Sequence, residues 1–90
     1  MTQFRFAFFV MSGDYRPEEI HARFSTPGCE TLVYGVPSVE AACALARRLA
    51  ADGTVPRIEL CGAFGPEGAR QVAEASGLSV GYVTDWPAAR

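Results

Sequence analysis

The order of strand-like and helical segments constrains this chain more than any other feature. A nearly continuous apolar run of strand length opens the chain at Phe4 to Met11, and three further runs of strand length follow. Two segments with the period of a sheet-packing helix separate the last three runs. Such an alternation requires parallel strands joined by right-handed crossovers. The sequence therefore predicts a small α/β fold, a two-layer or three-layer sandwich with a mainly parallel four-stranded sheet and two to three helices.

Serine, proline and glycine mark the ends of the predicted elements. Ser38 can cap the first helix, Pro66 can begin the second, and Gly53 and Gly77 lie just beyond the two helix ends. The predicted strands are Phe4 to Met11, Glu30 to Val36, Arg57 to Cys61 and Ser79 to Thr84, and the predicted helices are Ser38 to Asp52 and Pro66 to Ser76. The first strand is apolar at almost every position, which predicts burial on both of its faces at the centre of the sheet.

The segment before the second predicted strand is ambiguous. Within Asp14 to Ser25, Pro17 and the two glutamates after it resemble a first helical turn, whereas His21 to Thr26 can equally be extended. The tetrad Thr26-Pro27-Gly28-Cys29 is a clearer turn signal, with proline second and glycine third. A type II turn needs positive φ at that third position, so we expect Gly28 to be left-handed.

Length and composition limit the classes of partner. With 90 residues the chain predicts one domain, residues 1–90, since single cores usually span roughly 50 to 200 residues. A net charge of −2, with no lysine, gives no electrostatic footprint for nucleic acid or for an anionic membrane. The domain is 49% hydrophobic and too small to cover both sheet edges, so we expect it to associate with itself as a homodimer.

The cysteines indicate a reducing compartment. There are three, Cys29, Cys43 and Cys61, and they form no C-x-x-C pair, which suggests neither a disulfide framework nor a zinc site. We expect no metal and no cofactor, and a cytoplasmic location. The opening run Phe4 to Met11 is too short to span a bilayer, Arg5 interrupts it, and no small-residue cleavage site follows it, so it does not predict a signal peptide.

A parallel sheet brings its strand-to-helix loops to one edge, where ligands of open α/β folds bind. If the four predicted strands lie in the order 2-1-3-4, the order reverses between the first and third strands, and the loops after them form a crevice. A sequential order removes the reversal but keeps the same loops at the same edge. The candidate ligand-binding residues are Ser12, Gly13, Asp14, Cys61, Gly62, Phe64 and Gly65.

Three glycines at Gly62, Gly65 and Gly68 follow the third predicted strand. Their spacing fits neither the dinucleotide fingerprint nor the phosphate loop. Glu67 in the first helical turn would repel a phosphate, and Pro66 removes one amide donor. The simpler interpretation is a tight connection before a helix that begins with proline. Binding of a small carboxylate or of a neutral metabolite stays open.

Three residues are candidates for catalysis, namely Glu59, Cys61 and Asp14. Strand alternation places Glu59 on the same face as Arg57 and Cys61, where a carboxylate under helices is costly unless it is paired. It either pairs with an arginine or acts as a general acid or base. Cys61 precedes a helix N-terminus, which can activate a thiol, although a small buried hydrophobe is the commoner role of a free cysteine. Asp14 follows a strand and is either a functional carboxylate or a turn former.

The remaining polar and aromatic candidates have simpler interpretations. Cys43 lies on the flank of the apolar helix face and is expected in the core, whereas Cys29 follows a turn and is expected to be exposed. His21 is the one histidine in the sequence, and nothing in its spacing supports a Cys/His pair with Cys61. Three aromatic residues are expected in the core or at an interface, namely Tyr34, Tyr82 and Trp86.

The segment E-L-C-G-A-F-G-P-E-G-A at residues 59–69 carries a resemblance, together with the Thr26-Pro27-Gly28 turn and the strand end Gly35-Val36. These motifs resemble a small bacterial α/β family known as a domain of unknown function, over nearly the whole chain. The resemblance implies a compact, soluble, stand-alone protein. It implies no activity, cofactor or catalytic residue.

Two functional hypotheses of different class follow from the residues. The first is a homo-oligomeric domain that binds a small metabolite at the carboxyl edge of its sheet. The alternative is a small cofactor-free isomerase or lyase in which Glu59 or Asp14 moves a proton and Cys61 assists.

Overall fold

The structure is a computed structural model that describes residues 2–85 of the chain. Five strands and two α-helices follow one another with a short 3₁₀ helix before the second α-helix. They are β1 (Phe4–Met11), β2 (His21–Ser25), β3 (Cys29–Val36), α1 (Val39–Asp52), β4 (Arg57–Leu60), the 3₁₀ helix (Gly62–Phe64), α2 (Gly65–Ser76) and β5 (Ser79–Tyr82). The α/β class predicted from the sequence is confirmed.

The strands form one sheet in the order β2-β3-β1-β4-β5. The four predicted strands are mutually parallel and lie in the reversing order proposed above, with β1 between β3 and β4. The prediction of four strands is wrong, because β2 adds a fifth strand antiparallel to β3. All five β2 residues are exposed, so this strand depends on its pairing with β3 and shows no buried alternation.

A tight turn joins β2 to β3 at the predicted tetrad. The Thr26 amide donates to the Cys29 carbonyl at 2.8 Å, and the Thr26 hydroxyl oxygen accepts from the Cys29 amide at 3.2 Å. The predicted left-handed conformation of Gly28 is wrong, since positive φ occurs at Gly53, Gly65 and Gly77 but not there. The hairpin closes through the Thr26 side chain and its backbone without requiring the glycine's special freedom.

Both α-helices lie on one face of the sheet. The α1 crossover passes from β3 over β1 to β4, and the α2 crossover continues in the same direction to β5. Right-handed crossovers that step in the same direction place their helices on the same side, and α1 and α2 pack against each other there. Between the helices and the sheet lies the core, formed by Ala7, Phe9, Val36, Ala42, Cys43, Leu45, Ala46, Leu49, Val55, Ile58, Leu60, Phe64, Ala69 and Val72. The domain therefore has two layers.

Helix α1 begins and ends as its sequence predicts. The Ser38 side chain accepts a hydrogen bond from the Ala41 amide at 3.1 Å, and Gly53 ends the helix with φ of 66°. No α-helix within residues 2–85 is long and apolar enough to cross a membrane.

The opposite face of the sheet bears no helix in the part of the chain that is described. Ala7 and Phe9 of β1 point to the helices and are buried, whereas Phe4 on the other face is 51% exposed. Burial of β1 on both faces was therefore a wrong prediction, because both crossovers step in one direction. We call this helix-free surface the bare face; its strand positions are Phe4, Phe6, Phe8 and Val10 (β1), Ala22 and Phe24 (β2), Cys29, Thr31, Val33 and Gly35 (β3), Arg57 and Glu59 (β4), and Ser79 and Gly81 (β5).

Candidate functional site

Cys61 lies where the carboxyl ends of β1 and β4 meet. Its amide donates to the Phe9 carbonyl at 3.0 Å, and its thiol sulfur accepts from the Met11 amide at 3.4 Å. The side chain is half-buried. A three-residue 3₁₀ helix follows it directly, so α2 begins four residues further on rather than at the cysteine. Cys61 therefore lies at the predicted edge, where two backbone groups of β1 bond its amide and its thiol.

The loop after β1 turns toward β3. The Ser12 amide donates to the Val36 carbonyl at 3.0 Å, and the Ser12 hydroxyl donates to Asp14 Oδ1 at 2.8 Å. Gly13 and Asp14 are exposed. The predicted loop segment Ser12-Gly13-Asp14 is therefore at the carboxyl edge, but its polar groups are bonded within the loop and to the end of β3.

The loop after β4 turns the other way, toward β5, and forms one wall of a groove. The groove has a volume of about 310 Å³. It is lined by Gly62, Gly65, Pro66, Tyr82, Val83, Thr84 and Asp85. The carboxyl edge thus holds a groove that includes two of the predicted glycines, while Ser12, Gly13 and Asp14 are not among its lining residues.

Backbone geometry explains the glycine at position 65 of this loop. The Phe64 amide donates to the Cys61 carbonyl at 3.2 Å, and the Gly65 amide donates to the Gly62 carbonyl. Gly65 has φ of 65°, a conformation that favours glycine. Phe64 is buried in the core, so its ring anchors the loop instead of lining the groove as predicted. The Gly62 and Ala63 amides lie at the first positions of the 3₁₀ helix and precede any intrahelical acceptor.

The first turn of α2 carries its own charge pair. Glu67 forms an ion pair with Arg70, which also donates to Glu74 Oε2 at 2.6 Å. Hydrogen bonds from Arg70 and then Gln71 hold the pKa of the Glu67 carboxyl below its ordinary value, so this side chain stays anionic. Because the Glu67 carboxylate already complements the positive end of the α2 dipole, a phosphate is disfavoured at this helix end.

Glu59 is paired with an arginine. Its Oε2 accepts from Arg57 Nε at 2.5 Å, and Arg57 Nη1 donates to the Ser79 hydroxyl at 2.7 Å. The pair lies over Gly81, where an added Cβ would come within 2.6 Å of Glu59 Oε1. The expectation that helices cover this carboxylate is wrong, because Glu59 lies on the bare face with 32% of its side chain exposed. The structure favours the arginine-paired interpretation over that of a free acid or base.

The other sequence candidates lie away from the carboxyl-edge groove. Cys43 is buried in α1, and desolvation raises the pKa of its thiol, as expected of a core cysteine. Cys29 is half-buried rather than exposed. His21 lies on β2, three strand spacings or about 14 Å of sheet from β4, so it forms no pair with Cys61. Its Nδ1 lies 2.9 Å from the Pro17 carbonyl oxygen.

The predicted aromatic residues have different positions. Tyr34 is half-buried and packs edge-on against the core residue Phe9, with ring centroids 6.1 Å apart. Tyr82 is partly exposed and lines the carboxyl-edge groove. Trp86 lies outside the described residues.

A second and larger groove was missed by the sequence reasoning. It lies on the helix side of the sheet, between β2, β3 and the end of α1, and has a volume of about 540 Å³. Its lining residues are Arg5, His21, Ala22, Arg23, Glu30, Leu32, Tyr34, Asp52, Gly53 and Thr54. Glu30 is nearly buried there and is neutralised by an ion pair with Arg23. Glu30, a carboxylate within an apolar strand, was the sequence signal for this groove. The groove itself could not be predicted from it, because one wall is formed by β2.

Residues 2–85 contain no group of three or more His, Cys, Asp or Glu side chains that could hold a metal ion.

Comparison with known proteins places the chain in a family without assigning it an activity. Neither the curated proteins nor the solved structures include a significant match. The profile of a family described as "Family of unknown function (DUF6506)" matches residues 4–89, which is almost the whole chain and includes every strand and helix described above. The chain belongs to the family of unknown function DUF6506.

Proposed function

We propose that this protein is a homo-oligomeric domain that binds a small metabolite at the carboxyl edge of its sheet. The observation that carries the proposal is the groove of about 310 Å³ between the loop after β4 and the residues after β5. Open α/β sheets bind ligands at this edge, close to the point where the strand order reverses. Here the order reverses between β1 and β4, where Cys61 lies, and the residue after it, Gly62, lines the groove.

The groove's chemistry favours a neutral metabolite over an anion. Its charged lining residue is Asp85, whereas Glu67 in the first turn of α2 is neutralised by its ion pair with Arg70. The Thr84 hydroxyl and the amides of the 3₁₀ helix supply hydrogen-bonding groups without positive charge. A phosphate or a carboxylate would meet like charge here, whereas an alcohol, amide or sugar would not.

The alternative of a cofactor-free isomerase or lyase has less support. Glu59 is neutralised by Arg57, and Asp14 accepts from the Ser12 hydroxyl. Neither carboxylate lines the groove. A general base has to reach the substrate proton, and these two side chains are directed elsewhere.

A screen of a mixture of neutral alcohols, amides and sugars by two-dimensional amide NMR tests the ligand part of the proposal. The shifts caused by a binder should cluster at Gly62–Gly65 and at residues 82–85, and extend to Ser12–Asp14 through the β1 end. Shifts confined to the amino edge, or to the larger groove around Thr54, would contradict this placement.

Two matched variants separate the grooves. Thr84→Trp fills the carboxyl-edge groove and should abolish those shifts, whereas Thr54→Trp places the same side chain in the larger groove and should leave them unchanged. The reverse pattern would assign binding to the larger groove.

A further inference from the structure

The bare face is apolar along the middle strand of the sheet. Its middle strand, β1, presents Phe4, Phe6, Phe8 and Val10 in succession. Phe4 stacks on Phe6 with ring centroids 5.4 Å apart, and on the outer strand β2 Phe24 is 62% exposed. Soluble monomers rarely expose a contiguous apolar patch of more than a few hundred Å², so this face is typical of a surface that another molecule covers.

The bare face approaches the size of a small dimer interface. Its strands have 8, 5, 8, 4 and 4 residues, and with about 3.3 Å per residue and about 4.8 Å between strands they give a flat sheet surface of about 460 Å². Side chains that stand out from the sheet add to this area, and specific protein interfaces begin at about 600 Å² on each partner. A single helix, about 10 Å wide with its side chains, would cover β1 and leave Phe24 exposed. A second sheet matches the width of the face.

The charges on the bare face favour a second copy of the same chain. Among its described positions the charged residues are Arg57 and Glu59, which neutralise each other. Such a face offers no net charge for a charged partner, and two copies of it do not repel. The side chains of this ion pair lie over Gly81, which has no side chain, so the pair stays close to the sheet and leaves space for the second copy.

One end of the bare face is closed by the chain itself. Ile20 and Tyr15 lie over Gly35, and an added Cβ there would meet them at 2.6 Å and 2.7 Å. These side chains rise above the carboxyl end of β3 and leave the phenylalanine row toward the amino end open. A two-fold axis through the row on β1 would pack each copy's phenylalanines on those of the other, because an isologous interface buries the same patch twice.

We infer that two copies of this chain pack bare face to bare face, with the β1 phenylalanines at the centre of the interface. The arrangement is an aligned sheet sandwich with about 10 Å between the sheets. This inference rests on the homo-oligomeric part of the proposed function and names the surface that would form the oligomer.

Light scattering coupled to size exclusion tests the surface with a matched pair of variants. The double variant Phe4→Arg, Phe24→Arg replaces side chains that are exposed in one copy, so it should fold with an unchanged far-ultraviolet circular dichroism spectrum. The unmodified protein should elute at twice its mass of 9.7 kDa, and the double variant at that mass itself. The control double variant Ala44→Arg, Ala51→Arg adds the same two charges at exposed positions of α1 and should stay dimeric.

Three outcomes would overturn the inference. A folded double variant that stays dimeric would show that the interface lies elsewhere, while homo-oligomerisation itself would stand. If the unmodified protein has the mass of a monomer at every concentration, both the proposed interface and homo-oligomerisation are wrong. If the unmodified protein is a monomer but a chain ending at Asp85 dimerises, residues 86–90 occupy the bare face and the second copy does not.

A second measurement needs no variant and covers the case in which the double variant fails to fold. Cys29 is half-buried on the bare face beside Phe4 in register. Its alkylation by iodoacetamide, followed by peptide mass spectrometry, should slow as the protein concentration rises through the range in which the mass doubles. A Cys29 alkylation rate that stays constant while the mass doubles would contradict packing through this face.

Discussion

Glu59 is the residue where the sequence left two roles open and the structure favours one. A carboxylate fits on the bare face because Arg57 neutralises it and Gly81 leaves space beneath it. The sequence predicted the shared face of Arg57 and Glu59 from strand alternation. It could not predict the space at Gly81, which depends on the β4 and β5 register.

Glu59→Gln should lower the free energy of unfolding by about 0.5 to 1 kcal/mol, because a pair that is about one-third exposed contributes little more than a surface ion pair. Urea melts at one fixed protein concentration measure the change. Glu74→Gln, which breaks an exposed i,i+4 pair with Arg70, is the control and should cost about 0.3 kcal/mol. A stabilised Glu59→Gln would indicate a carboxylate kept for function at a cost to the fold, and would reject its structural role.

At the scale of single elements, the local signals of α1 match its structure most closely. Removing the Ser38 cap should lower the free energy of unfolding by about 1 kcal/mol, since the Ala41 amide loses its acceptor at the helix N-terminus. Thermal and urea melts of Ser38→Ala measure this change. Ser38→Asn keeps a capping oxygen and should stay near the unmodified protein. If Ser38→Ala has the same free energy of unfolding as the unmodified protein, the cap contributes nothing to stability.

The elements that the sequence missed depend on contacts distant in the chain. Helix α1 carries a serine cap, α2 begins with proline and ends at glycine, and β1 is apolar at every position but Arg5, so these elements were predictable. The extended alternative for His21 to Thr26 is the one that the structure shows, but β2 has exposed side chains and forms through its ladder with β3, so no local pattern could decide it. The larger groove required β2, and the carboxyl-edge groove required residues after β5, so neither lining was predictable in full.

At the scale of the whole molecule, one consequence of topology links the fold to the proposed assembly. The apolar β1 predicted a strand covered on both faces, whereas crossovers that step in one direction place α1 and α2 on a single face. A second copy would supply the cover that the helices do not. The apolar sequence of β1 thus predicted that both of its faces would be covered. In the proposed dimer the helices cover one face and the second copy covers the other.

Isotope-filtered NMR of a sample that mixes labelled and unlabelled copies detects contacts between the bare faces of two molecules. Intermolecular nuclear Overhauser effects should join the Phe6 and Phe8 ring protons of one copy to the Val10 and Val33 methyl groups of the other, since these side chains lie together on the bare face. A dimer whose intermolecular effects come instead from α1 or α2, with none from the β1 rings, would contradict the proposed packing.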